Sequence, residues 1–154
     1  MKQPTIAVLT LLLATAAFAQ VNIKDPWVRA TVPQQKATGA FMQITAAKDA
    51  KLVEAKSAAA AVVEIHEMAM ENNVMKMRAI PGLALPAGKA VDLKPGGYHV
   101  MLIDLKAQIK AGDTIPVTLV VEGKDGKRET IEVKATARAL NAEAQKDPSQ
   151  GGKH

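Results

Sequence analysis

Two imidazoles and two thioethers, His66, Met77, His99 and Met101, fall in the pattern His-x10-Met-x21-His-x-Met. Thioether sulfur and neutral imidazole together suit the soft monovalent copper ion, whereas carboxylate-rich sites favour harder metals. The chemistry on offer is therefore the holding of one Cu(I) ion by uncharged donors. The chain has three histidines, and two of them lie in the stretch that also holds five of its seven methionines, Met68, Met70, Met75, Met77 and Met101. Methionine is also an adaptable core filler, so each of these residues, taken singly, reads as packing. A lone strand histidine reads as structural in the same way. Joint occurrence on two expected strands, with the donors paired on one face, favours the metal.

The elements that would position these donors are strands. Apolar and polar residues alternate over short stretches separated by Gly, Pro, Asn and Asp, and the mature domain shows no long helical period. Strands are expected at 22–30, 39–45, 51–57, 61–70, 74–80, 89–93, 98–104, 114–122 and 128–137, a spacing that argues for an all-β antiparallel sandwich or barrel. Pro26 and Pro116 fall inside two of these, which predicts edges or bulges because proline cannot donate to a ladder. Asn72-Asn73 can form a tight hairpin turn, since asparagine tolerates positive φ. In that register Met68 faces Met77, Met70 faces Met75, and His66 lies diagonally from Met77, within roughly 7 to 8 Å backbone to backbone.

The second pair of donors lies on Tyr98-His99-Val100-Met101-Leu102, which follows Pro95-Gly96-Gly97. Residues two apart leave a strand on the same face. His99 and Met101 would share the metal face, with Tyr98, Val100 and Leu102 directed into the core. The preceding turn would place His99 at the strand's entry, near a rim open to solvent. Met68, Met70 and Met75 read either as packing or as an auxiliary capture surface. Trp27 reads as a core or site-flanking aromatic.

Residues 1–19 have the features of a cleaved secretory signal: Lys2, an apolar run over 6–17, and Ala17-Phe18-Ala19 as a small-x-small cleavage site. The apolar run is shorter than the roughly 20 residues of a comfortable span, so no stable membrane insertion is expected. A copper-binding domain over 20–140 would be followed by a flexible polar tail over 141–154, which lacks the apolar residues to order itself. His154 at its end reads as a bystander. The absence of cysteine fits an oxidising compartment and rules out a blue-copper centre, which needs a thiolate. The formal net charge is +5, with lysines and acids interspersed and no basic run or aromatic interleaving. That pattern gives no support to nucleic-acid binding but could steer the protein toward an acidic partner.

These residues resemble the periplasmic PCu(A)C copper chaperone family, whose signature His66, Met77, His99 and Met101 match one for one. The resemblance extends to Asp25-Pro26-Trp27-Val28-Arg29-Ala30, to Val74-Met75-Lys76-Met77 and to Lys94-Pro95-Gly96-Gly97-Tyr98-His99-Val100-Met101-Leu102. It implies a cupredoxin-like or immunoglobulin-like β-barrel with those four side chains as ligands of one Cu(I) ion. It also implies a periplasmic carrier that hands copper to an acceptor such as cytochrome c oxidase subunit II or another periplasmic copper chaperone, for assembly of the oxidase's binuclear copper site; separately from the resemblance, a monomer is expected. The chain lacks the histidine- and methionine-rich tail of some members, and Thr45-Ala46-Ala47-Lys48 departs from the family's Asn-x-Gly turn. A copper-resistance or storage protein using the same site is an alternative, as is a metal-free envelope interaction domain. No nucleophile–base constellation stands out, so an enzyme is the least supported class.

Overall fold

The computed structural model describes residues 20–139. The leader expected at 1–19, residue 140 and the tail with His154 lie outside the described residues. Alternation of apolar and polar side chains is realised as ten strands: β1 (Val21–Arg29), β2 (Ala37–Ala46), β3 (Ala50–Lys56), β4 (Ala60–Glu71), β5 (Val74–Ala79), β6 (Leu83–Leu85), β7 (Ala90–Leu93), β8 (His99–Leu105), β9 (Thr114–Gly123) and β10 (Arg128–Arg138). No helix among the described residues is long and apolar enough to cross a membrane.

The strands form one sheet in the order β5-β4-β8-β2-β1-β10-β9-β3-β6, with β7 pairing on β2 beside the β8 pairing. The sheet curls back on itself, bringing β3 against β4 and β6 against β2. The fold is thus the expected all-β, cupredoxin-like or immunoglobulin-like barrel. Every pairing among the described residues is antiparallel except β1 with β10, which run parallel from Trp27↔Thr136 to Arg29↔Arg138.

The core is aliphatic, as the scarcity of aromatic residues requires. Val28, Ile44, Leu52, Leu85, Val100, Leu102, Val117 and Leu119 are fully buried, and each side chain of this kind stabilises the fold by roughly 1.5–3 kcal/mol. β8 shows how one strand serves two purposes. Val100 and Leu102 enter the core while His99 and Met101 leave the opposite face, as the two-residue period demands.

Two details differ from expectation, and the two strand prolines behave as expected. β6 is a tenth strand, only three residues long between Pro81-Gly82 and Pro86, too short for periodicity to reveal; its alternate residues Leu83 and Leu85 are buried. Tyr98 does not enter the core but is 38% exposed, because β8 begins one residue later, at His99, and Tyr98 still belongs to the turn. Pro26 does mark a bulge: the β1–β2 register shifts between Lys24 and Trp27, and Asp25 has a φ of 50°. Pro116 lies past the last β3–β9 pair, Lys56↔Thr118, where its carbonyl accepts a hydrogen bond from the Ser57 hydroxyl at 2.6 Å.

Candidate metal centre

β4 and β8 are neighbours, and their register sets His66 directly opposite His99 and Glu64 directly opposite Met101. On the other side of β4, the hairpin turn holds Asn72 and Asn73 at φ 49° and 62°. That turn puts Met68 opposite Met77 and Met70 opposite Met75, the expected register. His66 pairs with Ala79, so Met77 is its diagonal neighbour on the same face. The four predicted ligands therefore share the outer face of the β5-β4-β8 portion of the sheet.

Met77, His99 and Met101 line one cavity of about 290 Å³ together with Met68, Phe41 and Arg29. His66 stands beside this cavity rather than in its lining, its ring centroid 5.5 Å from that of His99 and edge-on to it. The accessible side of the cavity is the methionine side. Met77 is 51% exposed while His99 is only 5% exposed, so the expectation that His99 itself would sit at an open rim is corrected. Phe41, Pro95 and Gly96 line the same cavity.

Hydrogen bonds decide which imidazole nitrogens carry lone pairs. His99 Nδ1 lies 3.0 Å from the Gly97 carbonyl oxygen; since a carbonyl only accepts, Nδ1 is the protonated nitrogen and Nε2 carries the lone pair. His66 Nε2 lies 2.7 Å from Glu64 Oε2, and the ionised carboxylate likewise only accepts. In the neutral imidazole His66 Nδ1 is then the lone-pair nitrogen, and it is buried without a hydrogen-bond partner. A buried polar nitrogen left unpaired is destabilising by roughly 1–3 kcal/mol, and a metal ion would relieve it. Metal-binding histidines are characteristically oriented through their second nitrogen by a carboxylate or a backbone carbonyl. Both arrangements occur here. Burial holds the His99 imidazole below its ordinary value of 6.5; the Gly97 carbonyl pulls the other way, and the neighbouring His66 adds to the lowering. Neutral His99 is the form able to bind a metal.

An aromatic wall closes the centre. Trp27 pairs with Phe41 across β1 and β2, ring centroids 4.6 Å apart, and Phe41 lies 6.2 Å from His99. Gly39, opposite Met101 in the β2–β8 ladder, makes room for it: a Cβ there would come within 2.7 Å of the Phe41 ring. The Arg138 guanidinium covers the outer face of Trp27 and pairs with Asp25. Trp27 is thus the site-flanking aromatic of the two readings.

Glu64 was not among the residues singled out from sequence, although its position two before His66 on one strand was a sufficient signal. Phe41 and Gly39 gave no such signal, since they reach the centre only through the β2–β8 pairing. Among the described residues no three His, Cys, Asp or Glu side chains are grouped as a metal site. A centre here has to draw on thioether sulfur, which selects a soft ion.

Residues 21–136 match the family model described as "Putative lipoprotein LpqE-like". The chain is 37% identical over 100 residues to "Putative lipoprotein Lxx21020" of Leifsonia xyli subsp. xyli, covering 64% of this chain and 60% of that protein. It is 32% identical over 124 residues to "Uncharacterized protein RP573" of Rickettsia prowazekii, covering 77% and 67%. The chain thus spans about 60% of the length of the Leifsonia relative. Among solved structures, it resembles the apo PCuAC domain from PmoF1 with a TM-score of 0.62 and 26% identity, over 77% of this chain and 93% of that one. It also resembles the Cu(I) form of DR1885 from Deinococcus radiodurans, with a TM-score of 0.55 and 30% identity, over 80% and 83%.

Proposed function

The chain belongs to the LpqE-like family and shares the fold of PCuAC domains, and on that premise we propose that it is a copper chaperone of the cell envelope, binding one Cu(I) ion through His66, Met77, His99 and Met101. The carrying observation is the buried, unpartnered Nδ1 of His66, set across a strand pair from a His99 whose own orientation leaves Nε2 available. Two thioethers on the same face complete a neutral set. The copper-bound state of similar domains, DR1885 and the PCuAC domain from PmoF2, supports the reading.

Uncharged ligands hold the ion without strong electrostatic trapping, which suits a carrier that must release its cargo. Release proceeds by stepwise ligand exchange. Met77 leaves first, because a thioether is the weaker donor and this one is half exposed; a cysteine or histidine of the acceptor takes its place. His99 and Met101, more deeply set, let go last. Glu64 and the Gly97 carbonyl keep the imidazoles oriented throughout. The leader at 1–19 sends the protein to the periplasm, the domain occupies 20–140, and the acceptor is cytochrome c oxidase subunit II or a second periplasmic copper chaperone.

The test is competition of the purified protein against a Cu(I) chelator, followed by transfer to a cysteine-containing acceptor. One Cu(I) per chain, lost with His66→Ala or His99→Ala, is the expected result. Transfer unaffected by Met77→Leu contradicts the exchange order. Restoration of oxidase assembly in a deletion strain separates delivery from copper resistance or storage, in which the loaded protein only protects against copper stress.

A further inference from the structure

The β4–β5 hairpin has two chemically different faces. On one, Glu67 pairs with Arg78 at 2.7 Å and Lys76 with Glu71 at 3.7 Å, an ordinary solvated surface. The other carries Met68 opposite Met77 and, one rung further toward the turn, Met70 opposite Met75. Met70 is 65% exposed and Met75 47%, so neither serves as core filling, the usual use of methionine. β5 is the edge of the sheet, and every residue of it is exposed. Nothing in the packing of the domain requires thioethers there.

We propose that Met70 and Met75, with Met68, form a second soft-metal site near the hairpin turn, which takes up Cu(I), or Ag(I) as its analogue, and feeds the centre at Met77, His66, His99 and Met101. Residues directly opposite on antiparallel strands have Cβ atoms about 4.5–5.5 Å apart, close enough for two flexible thioethers to grip one ion. Thioether-only donors favour a monovalent soft ion over the harder divalent metals. The next rung lies about 7 Å along the strand, where Met68 and Met77 already line the inner cavity. An ion can therefore pass from the turn inward by exchanging one thioether for another, with no change of charge or oxidation state. The binding part of this proposal stands on the hairpin alone; the hand-over rests on the copper-chaperone reading above.

The experiment is a titration of the purified protein, labelled at the methionine methyl carbons, with Ag(I), the methyl resonances being assigned by single Met→Leu variants. The first equivalent is expected to shift Met77 and Met101, and the second to shift Met70 and Met75. Met70→Leu/Met75→Leu lies outside the inner centre; it is expected to keep the first equivalent and lose the second. It should also slow loading from a Cu(I) chelate on the order of tenfold, because a surface site raises the local concentration of the ion. Met70 and Met75 methyls that stay still under excess Ag(I), or a second equivalent undiminished in the double variant, overturn the site. Unchanged loading overturns the hand-over. Shifts at Met70 and Met75 without any at Met77 and Met101 uphold the surface site and sink the reading of the inner centre instead.

Discussion

His66 and His99 face each other across the β4–β8 ladder, and each has one ring nitrogen fixed by an acceptor from its own strand or the turn before it: Glu64 Oε2 for His66, the Gly97 carbonyl for His99. The two imidazoles are therefore oriented before any ion arrives. They offer different nitrogens, Nδ1 from His66 and Nε2 from His99.

The Glu64 contact can be removed without touching a proposed ligand. Glu64→Ala is expected to weaken Cu(I) binding by about 10–100-fold, the usual penalty for losing an outer partner of a ligating histidine, with one ion per chain retained. Nitrogen NMR of the apo protein should show His66 protonated on Nε2, and a mixture of tautomers in the variant. An unchanged tautomer and affinity would show that the carboxylate only decorates the surface.

His99 binds a proton less readily when folded than when unfolded, mainly because it is buried. His66 from β4 stands beside it, and Arg29 from β1 lines the same cavity. Between the lowered folded value and the unfolded value of about 6.5, the unfolded chain carries more protons, so stability rises with pH there. The contribution is complete above about 6.5 and is lost as the pH falls toward the folded value. Urea denaturation of apo protein from pH 5 to 8 should show this slope, and His99→Gln should flatten it. For the same reason Cu(I) binding should hold up on modest acidification below 6.5 better than an ordinary histidine would allow.

Gly39→Ala places a methyl group against the Phe41 ring, which is held between Trp27 and the centre. Overpacking of this kind is destabilising by about 1–3 kcal/mol. Trp27 is the one tryptophan of the chain, so its fluorescence reports the displacement directly. Unchanged emission together with unchanged stability would mean that the wall is looser than its geometry indicates.

Leu102→Ala tests whether the two faces of β8 are separable. Leu102 is fully buried, and the truncation should lower unfolding stability by about 2–5 kcal/mol. The folded fraction should still bind one Cu(I), since Leu102 and Met101 leave opposite faces of the strand.

Much of this centre was legible in the residues because its parts lie on local, alternating segments. Asn72-Asn73 announced the turn, the turn set the Met68↔Met77 and Met70↔Met75 pairs, and the His99-Val100-Met101-Leu102 alternation divided the face of the proposed donors from the core face. What escaped depended on distant pairing or on very short elements. The parallel β1–β10 ladder joins strands almost the whole domain apart in sequence, and no local pattern encodes its direction. Phe41 and Gly39 reach the site only through β2's place beside β8. Tyr98 continued the alternation of its neighbours, yet the strand begins after it. His99 is buried beside Phe41, in a cavity lined also by Pro95 and Gly96, neighbours that spacing along one strand cannot show.

X-ray absorption at the copper edge of the protein loaded with one Cu(I) tests the central claim most directly. Two sulfur and two nitrogen neighbours are predicted, falling to one sulfur in Met77→Leu and to one nitrogen in His66→Ala. A first shell without sulfur, or one unchanged by either substitution, would contradict the assignment of His66, Met77, His99 and Met101.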